Sequence, residues 1–323
     1  MPTIQEYKKL FELYLNENLF KSAPKNLYDP INYILELESK RIRPSLMMAV
    51  AEIFDCSVTK VMEPALGIEI FHNFTLIHDD IMDKSLLRRG KPTVDTKYGI
   101  NAGILSGDVM QFIASEKLRN VAPEHQSEIM ALYHKTAIEV CEGQQMDMDF
   151  EQETSVHEME YLQMVTLKTA VLLACSMQIG AIIANASIQD QKNIYGYGMN
   201  IGIAFQIQDD LLDTFGEEKL VGKKIGGDIC NNKKTLLLIK ALQTQHKYDK
   251  EILMNWMQTI EFNIQKVADI QRIFIASYAK QYTENKMMYY HDKAVEALDK
   301  VTVIRDKKNV LYEFAELIVS RKM

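Results

Sequence analysis

Apolar residues along this chain recur at three- and four-residue intervals, the period of a helix with one face in a core. Ile70, Phe74, Ile77 and Ile81 mark one such face. The strict apolar–polar alternation of strands, bounded by turn signals, is absent. Helix breakers are confined to the first part. All seven prolines lie at or before Pro123, and the last glycine is Gly227, so the final 96 residues contain neither. The pattern predicts an all-α chain of ten or more helices. No low-complexity linker or compositional shift divides it, so a single domain over 1–323 is expected. In order, it predicts an opening amphipathic helix over residues 1–23, a connection from Pro24 to Pro30, a helix leading into Glu38, and helices over 45–54 and 64–83.

Within these apolar helices two polar stripes share one spelling. Residues 78–83 read His-Asp-Asp-Ile-Met-Asp, and residues 208–213 read Gln-Asp-Asp-Leu-Leu-Asp. At 3.6 residues per turn, Asp79 and Asp83 fall on one face with Asp80 beside them; Asp209, Asp210 and Asp213 repeat that geometry. Gln206 extends the second stripe one turn back, and His72 and Thr75 extend the first. Three carboxylates so close repel one another. Hard divalent cations relieve that repulsion, and magnesium binds one or two carboxylates while keeping sites for water and phosphate oxygens. A solvated acidic face is the alternative for one such stripe, and a weaker one for two.

Charge and cysteine usage narrow the class. The net charge is −7, with 25% charged and 47% hydrophobic residues. That balance suits a soluble globular chain and argues against nucleic acid, whose backbone selects basic surfaces. Cys56, Cys141, Cys175 and Cys230 are scattered without ligand spacing, as buried thiols of a reducing compartment would be. The opening residues lack the apolar run of a signal peptide, and no uninterrupted apolar stretch reaches the ~18 residues of a membrane span. A cytoplasmic protein without an integral membrane segment is expected.

Basic residues punctuate the acidic helices. Lys40-Arg41-Ile42-Arg43-Pro44 places three cations before a stiffening proline, and Arg88-Arg89-Gly90 follows the first acidic stripe at once. Guanidiniums and ammoniums so placed suit phosphate oxygens that a metal leaves unsatisfied. In their order, KRIRP, FTLIHDDIMD, LLRRGKPTV, ILSGD, GQQMD, LKTA, FQIQDDLLD and GKKIGGDICNNKKT resemble the polyprenyl synthetase family, the trans-isoprenyl diphosphate synthases, from Lys40 to Thr235. The resemblance implies a helical bundle around a central cavity, usually a homodimer, with the two aspartate motifs facing each other near its mouth. It implies head-to-tail condensation of an allylic prenyl diphosphate with isopentenyl diphosphate, releasing pyrophosphate, with Mg2+ (three ions) as cofactor. Asp79, Asp80, Asp83, Asp209, Asp210 and Asp213 would form the metal motifs. Lys40, Arg43, His72 and Arg89 would bind isopentenyl diphosphate, and Arg88, Lys168, Lys224 and Lys233 the allylic diphosphate. Lys168, Thr169 and Gln206 would flank the allylic cation, with Asp147 ordering Lys168 and Gly143 allowing close helix packing.

Two positions depart from the family pattern. Glu38-Ser39 stands where a Gly-Gly pair is common, and Asn231-Asn232-Lys233-Lys234-Thr235 replaces a more glycine-rich turn. Rival functions are a class I terpene cyclase, whose second motif is normally a mixed Asn/Ser/Glu pattern, and a noncatalytic subunit of a heteromeric synthase, which loses carboxylates. In the family the residues four and five before the leading aspartate set product length. Here they are Thr75 and Phe74. One aromatic beside a small residue implies a short-chain product, twenty carbons in preference to fifteen.

Overall fold

The computed structural model describes residues 1–216, 225–259 and 263–320. Its helices are α1 (Ile4–Glu17), α2 (Lys25–Glu36), α3 (Ile42–Ile53), α4 (Met62–Met82), α5 (Val94–Tyr98), α6 (Ile100–Arg119) and α7 (Pro123–Gln152). Next, α8 (Glu158–Val165) runs through a π-helical turn, Thr166–Ala170, into α9 (Val171–Ile183), followed by α10 (Ile188–Phe215). The remainder is α11 (Gly227–Cys230), α12 (Leu236–Ala241), α13 (Lys247–Trp256), α14 (Ile264–Ala276), α15 (Ala279–Asp299) and α16 (Arg305–Ser320). Among the described residues the one ladder joins β1 (Leu87–Arg88) to β2 (Lys91–Pro92). The all-α expectation holds.

Two boundaries correct the sequence reading. The opening helix ends at Glu17, and the expected connection over 24–30 is mostly helix. Pro24 caps α2 and Pro30 lies inside it. Pro30 forfeits one backbone hydrogen bond, but Ile31, Ile34 and Leu35 bury completely on that helix. At about 1.5–3 kcal/mol per buried aliphatic side chain, their burial outweighs the lost bond.

The chain forms two compact units. The first comprises Met1–Lys135, Cys175–Ile194 and Val301–Leu311. Here α4 lies along α6, close enough that a Cβ on Gly107 would fall 2.3 Å from the His78 ring. The second comprises Thr136–Ala174, Tyr195–Lys300 and Tyr312–Met323. Its core gathers Tyr161, Val165, Ile207, Leu236, Ile273 and Phe274. The helix Glu158–Ile183 has the length and mean hydropathy of a membrane span, but 72% of its most apolar stretch is buried inside the protein, as in a core helix.

Candidate active site

In the first unit the acidic stripe occupies the last turn of α4, and Asp83 is its C-cap. A helix C-terminus is the negative end of the macrodipole, so three carboxylates there compound their own repulsion. They are not equivalent. Asp80 is 1% exposed and accepts two hydrogen bonds from Arg88, Nε to Oδ2 and Nη2 to Oδ1, both 2.7 Å. Burial still pushes the Asp80 carboxyl up, with the pull of Arg88 only partly offsetting it. Asp79 is half-buried and Asp83 exposed.

The basic residues come from two tight turns. Arg89 and Gly90 both have positive φ, 54° and 72°, as the two-residue turn of a β1–β2 hairpin demands. Arg41, left-handed at φ 46°, is no part of an open anion grip, contrary to the sequence reading. It is buried, donates to Glu69 Oε1 at 2.5 Å and reaches the carbonyls of Leu35 and Leu37. Arg43 Nη1 donates to His72 Nε2 at 3.1 Å. Burial, then the guanidiniums of Arg43, Arg89, Arg88 and Arg41, hold His72 well below its usual pKa, so it is neutral at pH 7. Desolvation draws Arg43 and Arg89 down to about 10, leaving both cationic. Lys40 is exposed. Arg43, His72 and Arg89 thus come together, and a dense positive field surrounds a neutral imidazole.

Thr75 is half-buried and donates to the His72 carbonyl at 2.8 Å. Phe74 is buried between Phe71 and His78, with ring centroids 5.5 and 4.8 Å away.

In the second unit the acidic stripe lies in the last two turns of α10, again at a helix C-terminus. Asp210 and Asp213 are buried and Asp209 is half-buried. Asp210 accepts from Tyr161 Oη at 2.7 Å and Gln206 Nε2 at 3.0 Å. Burial raises its carboxyl nonetheless. Asp213 accepts from the Asp228 backbone N–H at 2.8 Å. Thr169 Oγ1 donates to Gln206 Oε1 at 3.1 Å, so Thr169, Gln206, Asp210 and Tyr161 form one hydrogen-bonded chain.

Lys168 and Thr169 sit on the π-turn, a distortion frequent at functional sites. A Cβ on Gly143 would fall 2.3 Å from the Lys168 backbone nitrogen, so glycine alone lets α7 approach this turn. The same approach places Asp147 Oδ2 2.5 Å from Lys168 Nζ. Burial opposes ionisation of Asp147, but Lys233 and Lys168 prevail and hold its pKa low. Lys233 is in turn held cationic by Asp228, Asp210, Asp147 and Asp213. Lys224 lies outside the described residues.

Among the described residues no three His, Cys, Asp or Glu side chains converge into a closed metal cage. An open set of one or two carboxylates, completed by water and phosphate, is what magnesium takes. Asp79 with Asp83, and Asp209, keep accessible area for it, whereas Asp80, Asp210 and Asp213 are buried with their oxygens hydrogen-bonded within the protein. Sequence reasoning missed Glu69, Tyr161 and Asp228. A glutamate set directly between Ile68 and Ile70 on α4 was the available signal for Glu69.

The sequence profile described as polyprenyl synthetase matches residues 24–274. A geranylgeranyl diphosphate synthase of Methanosarcina mazei is 36% identical over 312 residues, covering 95% of this chain and 94% of that protein. A crystal structure of geranylgeranyl pyrophosphate synthase superposes with a TM-score of 0.94 at 38% identity, covering 100% of both chains. The geranylgeranyl pyrophosphate synthase of Corynebacterium glutamicum, solved with isoprenyl diphosphate and magnesium, has a TM-score of 0.85 at 25% identity, covering 99% of this chain and 98% of that one.

Proposed function

We propose, from the premise that the chain belongs to the polyprenyl synthetase family, that it is a short-chain trans-prenyltransferase. It condenses an allylic prenyl diphosphate with isopentenyl diphosphate, head to tail, and its product carries twenty carbons in preference to fifteen. The observation that carries this reading is that both aspartate triads are intact, each with accessible carboxylate area at a helix C-terminus. A noncatalytic subunit would have no use for either.

The reaction breaks the allylic C–O bond, whose electron pair leaves with the diphosphate. The isopentenyl double bond then attacks the allylic carbon, and a proton is lost to the departing pyrophosphate. Divalent cations, three magnesium ions in this reading, would bind Asp79, Asp83 and Asp209 and supply Lewis-acid neutralisation of the leaving group. Lys168, Lys233 and Arg88 bind the allylic diphosphate, and Lys224 joins them on its motif alone. Asp147 keeps the Lys168 ammonium oriented. Thr169 and Gln206, held together by a hydrogen bond, offer oxygen dipoles to the allylic cation. Arg43, Arg89 and Lys40 grip isopentenyl diphosphate, and neutral His72 adds a hydrogen bond. Water must be excluded, or the cation is quenched to an alcohol.

The family match spans segments of both compact units, which supports one polyprenyl synthetase domain. We further infer a homodimer, and a cytoplasmic location in which the four free cysteines stay reduced. The test is pyrophosphate release by the purified protein with magnesium, an allylic diphosphate and isopentenyl diphosphate, with products identified by mass spectrometry. Release should need both substrates and cease with a chelator. Release from the allylic substrate alone, with a cyclic product, would replace this reading with a terpene cyclase.

A further inference from the structure

Lys266 is 0% exposed and belongs to none of the motifs above. A buried ammonium normally pairs with a carboxylate. Among the described residues Nζ donates three hydrogen bonds, all to neutral oxygens: the Cys230 carbonyl at 3.0 Å, Asn232 Oδ1 at 2.7 Å and the Thr259 carbonyl at 2.6 Å. All three protons of the ammonium are thereby used. Cys230 ends α11; the Gly227, Asp228 and Ile229 carbonyls accept from the N–H groups of Asn231, Lys233 and Asn232, and the Cys230 carbonyl accepts from the ammonium. Desolvation pulls the Lys266 pKa down, so its burial is unfavourable in itself.

What that burial holds is a turn in an uncommon conformation. Asn232 is left-handed at φ 53°. Its Nδ2 donates to the carbonyls of Met257 and Thr259 at 3.0 and 3.1 Å, while its Oδ1 accepts from Lys266. The next residue is Lys233, whose backbone N–H donates to the Asp228 carbonyl at 2.9 Å. Lys266 itself is fixed from below, because its backbone N–H donates to the N-cap side chain of Asn263 at 3.2 Å.

We propose that Lys266 is a positioning residue, a buried clamp that fixes the turn at Asn232 and so aims Lys233 at the allylic diphosphate. It touches no substrate and acts through Lys233. The inference rests on the reading of Lys233 given under the proposed function.

Lys266→Met keeps the length of the side chain and removes all three donors, so the Cys230 carbonyl and Asn232 Oδ1 lose the ammonium that they accept from. In a variant that remains folded by circular dichroism, the KM for the allylic diphosphate should rise about tenfold. The KM for isopentenyl diphosphate should not move. In a Lys233→Ala background the same substitution should add almost nothing, since coupled residues are non-additive. Amide hydrogen exchange over residues 231–235 should accelerate in Lys266→Met. That readout needs no catalysis, so it tests the clamp even if the wild-type protein fails to turn over, a result that would count against the functional reading alone. If Lys266→Met does not fold, Asn232→Gly replaces it. Glycine tolerates the positive φ but cuts the link to the ammonium, and the same KM shift and faster exchange are expected. Unchanged exchange over 231–235 overturns the clamp. A KM shift that persists in full without the Lys233 side chain also overturns it.

Discussion

Neighbouring residues in one motif carry opposite duties. Asp79 and Asp80 are adjacent in sequence, yet Asp79 keeps accessible area and Asp80 is enclosed around Arg88. Asp79→Ala should lower turnover by orders of magnitude while its stability without metal holds or rises, because one repelling charge leaves a helix C-terminus. Asp80→Ala should lower stability by about 1–3 kcal/mol, because it strands the half-buried Arg88 guanidinium. Urea denaturation of both variants, with turnover measured beside it, separates them. Equal loss of stability would show that the two carboxylates are not divided in this way. The spacing made both acidic stripes legible, since periodicity alone puts three carboxylates on one face. It could not say which oxygens are taken, because Arg88, Tyr161 and the Asp228 N–H arrive from elsewhere in the chain.

Elements meet where side chains are missing. Gly143 lets α7 press on the π-turn that carries Lys168 and Thr169, and the atoms a Cβ would strike are backbone, at 2.3 and 2.7 Å. Backbone on two packed helices cannot yield as a side-chain tip can. Gly143→Ala should therefore lower stability by about 1–3 kcal/mol and reduce kcat as Lys168 moves away from Asp147. Denaturant midpoints together with steady-state kinetics check it, and wild-type kcat in a destabilised variant would separate packing from catalysis. On α4 the residues at three- and four-residue spacing, Phe71, Phe74 and His78, form an aromatic stack. Phe74→Ala removes its middle member, costing about 3–5 kcal/mol, and should lengthen the products; Thr75→Phe should shorten them. An unchanged product distribution in Phe74→Ala would place the length stop on another helix. The helices themselves were legible from apolar periodicity. The first half of α2 was not, because Pro24 and Pro30 read as breakers while the burial of Ile31, Ile34 and Leu35 that overrides them is tertiary. Nor was the β1–β2 turn, whose left-handed Arg89 no propensity would suggest.

At the scale of the molecule, residues far apart in sequence are tied by charge as well as by apolar packing. Glu158 opens α8, the helix that leads to the π-turn, and it gathers partners from two distant helices of the same unit. Lys240 on α12 lies 2.6 Å from its carboxylate and Lys286 on α15 2.8 Å, while Tyr282 Oη donates to both oxygens at 2.8 and 2.9 Å. None of these four residues was legible as a group, because nothing in the sequence pairs position 158 with 240 or 286. Burial alone would raise the Glu158 carboxyl. The hydrogen bonds from Lys240, Lys286 and Tyr282 overcome it and bring the pKa from 4.5 down to about 2. A carboxyl whose pKa is lower in the folded state stabilises the fold above its unfolded pKa and loses that contribution as pH falls through the folded one. The window is therefore the acid range from about 4.5 to about 2. The shift corresponds to about 3 kcal/mol at neutral pH as an upper figure, since the group keeps some contact with solvent. Glu158→Gln removes the charge without changing the shape. Its stability deficit against the wild type, read from urea midpoints, should be full at neutral pH and close as pH drops through that window, where the wild-type carboxyl is itself protonated. A deficit that stays constant down to the acid end would mean that Glu158 acts through packing and neutral hydrogen bonds, and that the ionic tie between α8, α12 and α15 contributes nothing.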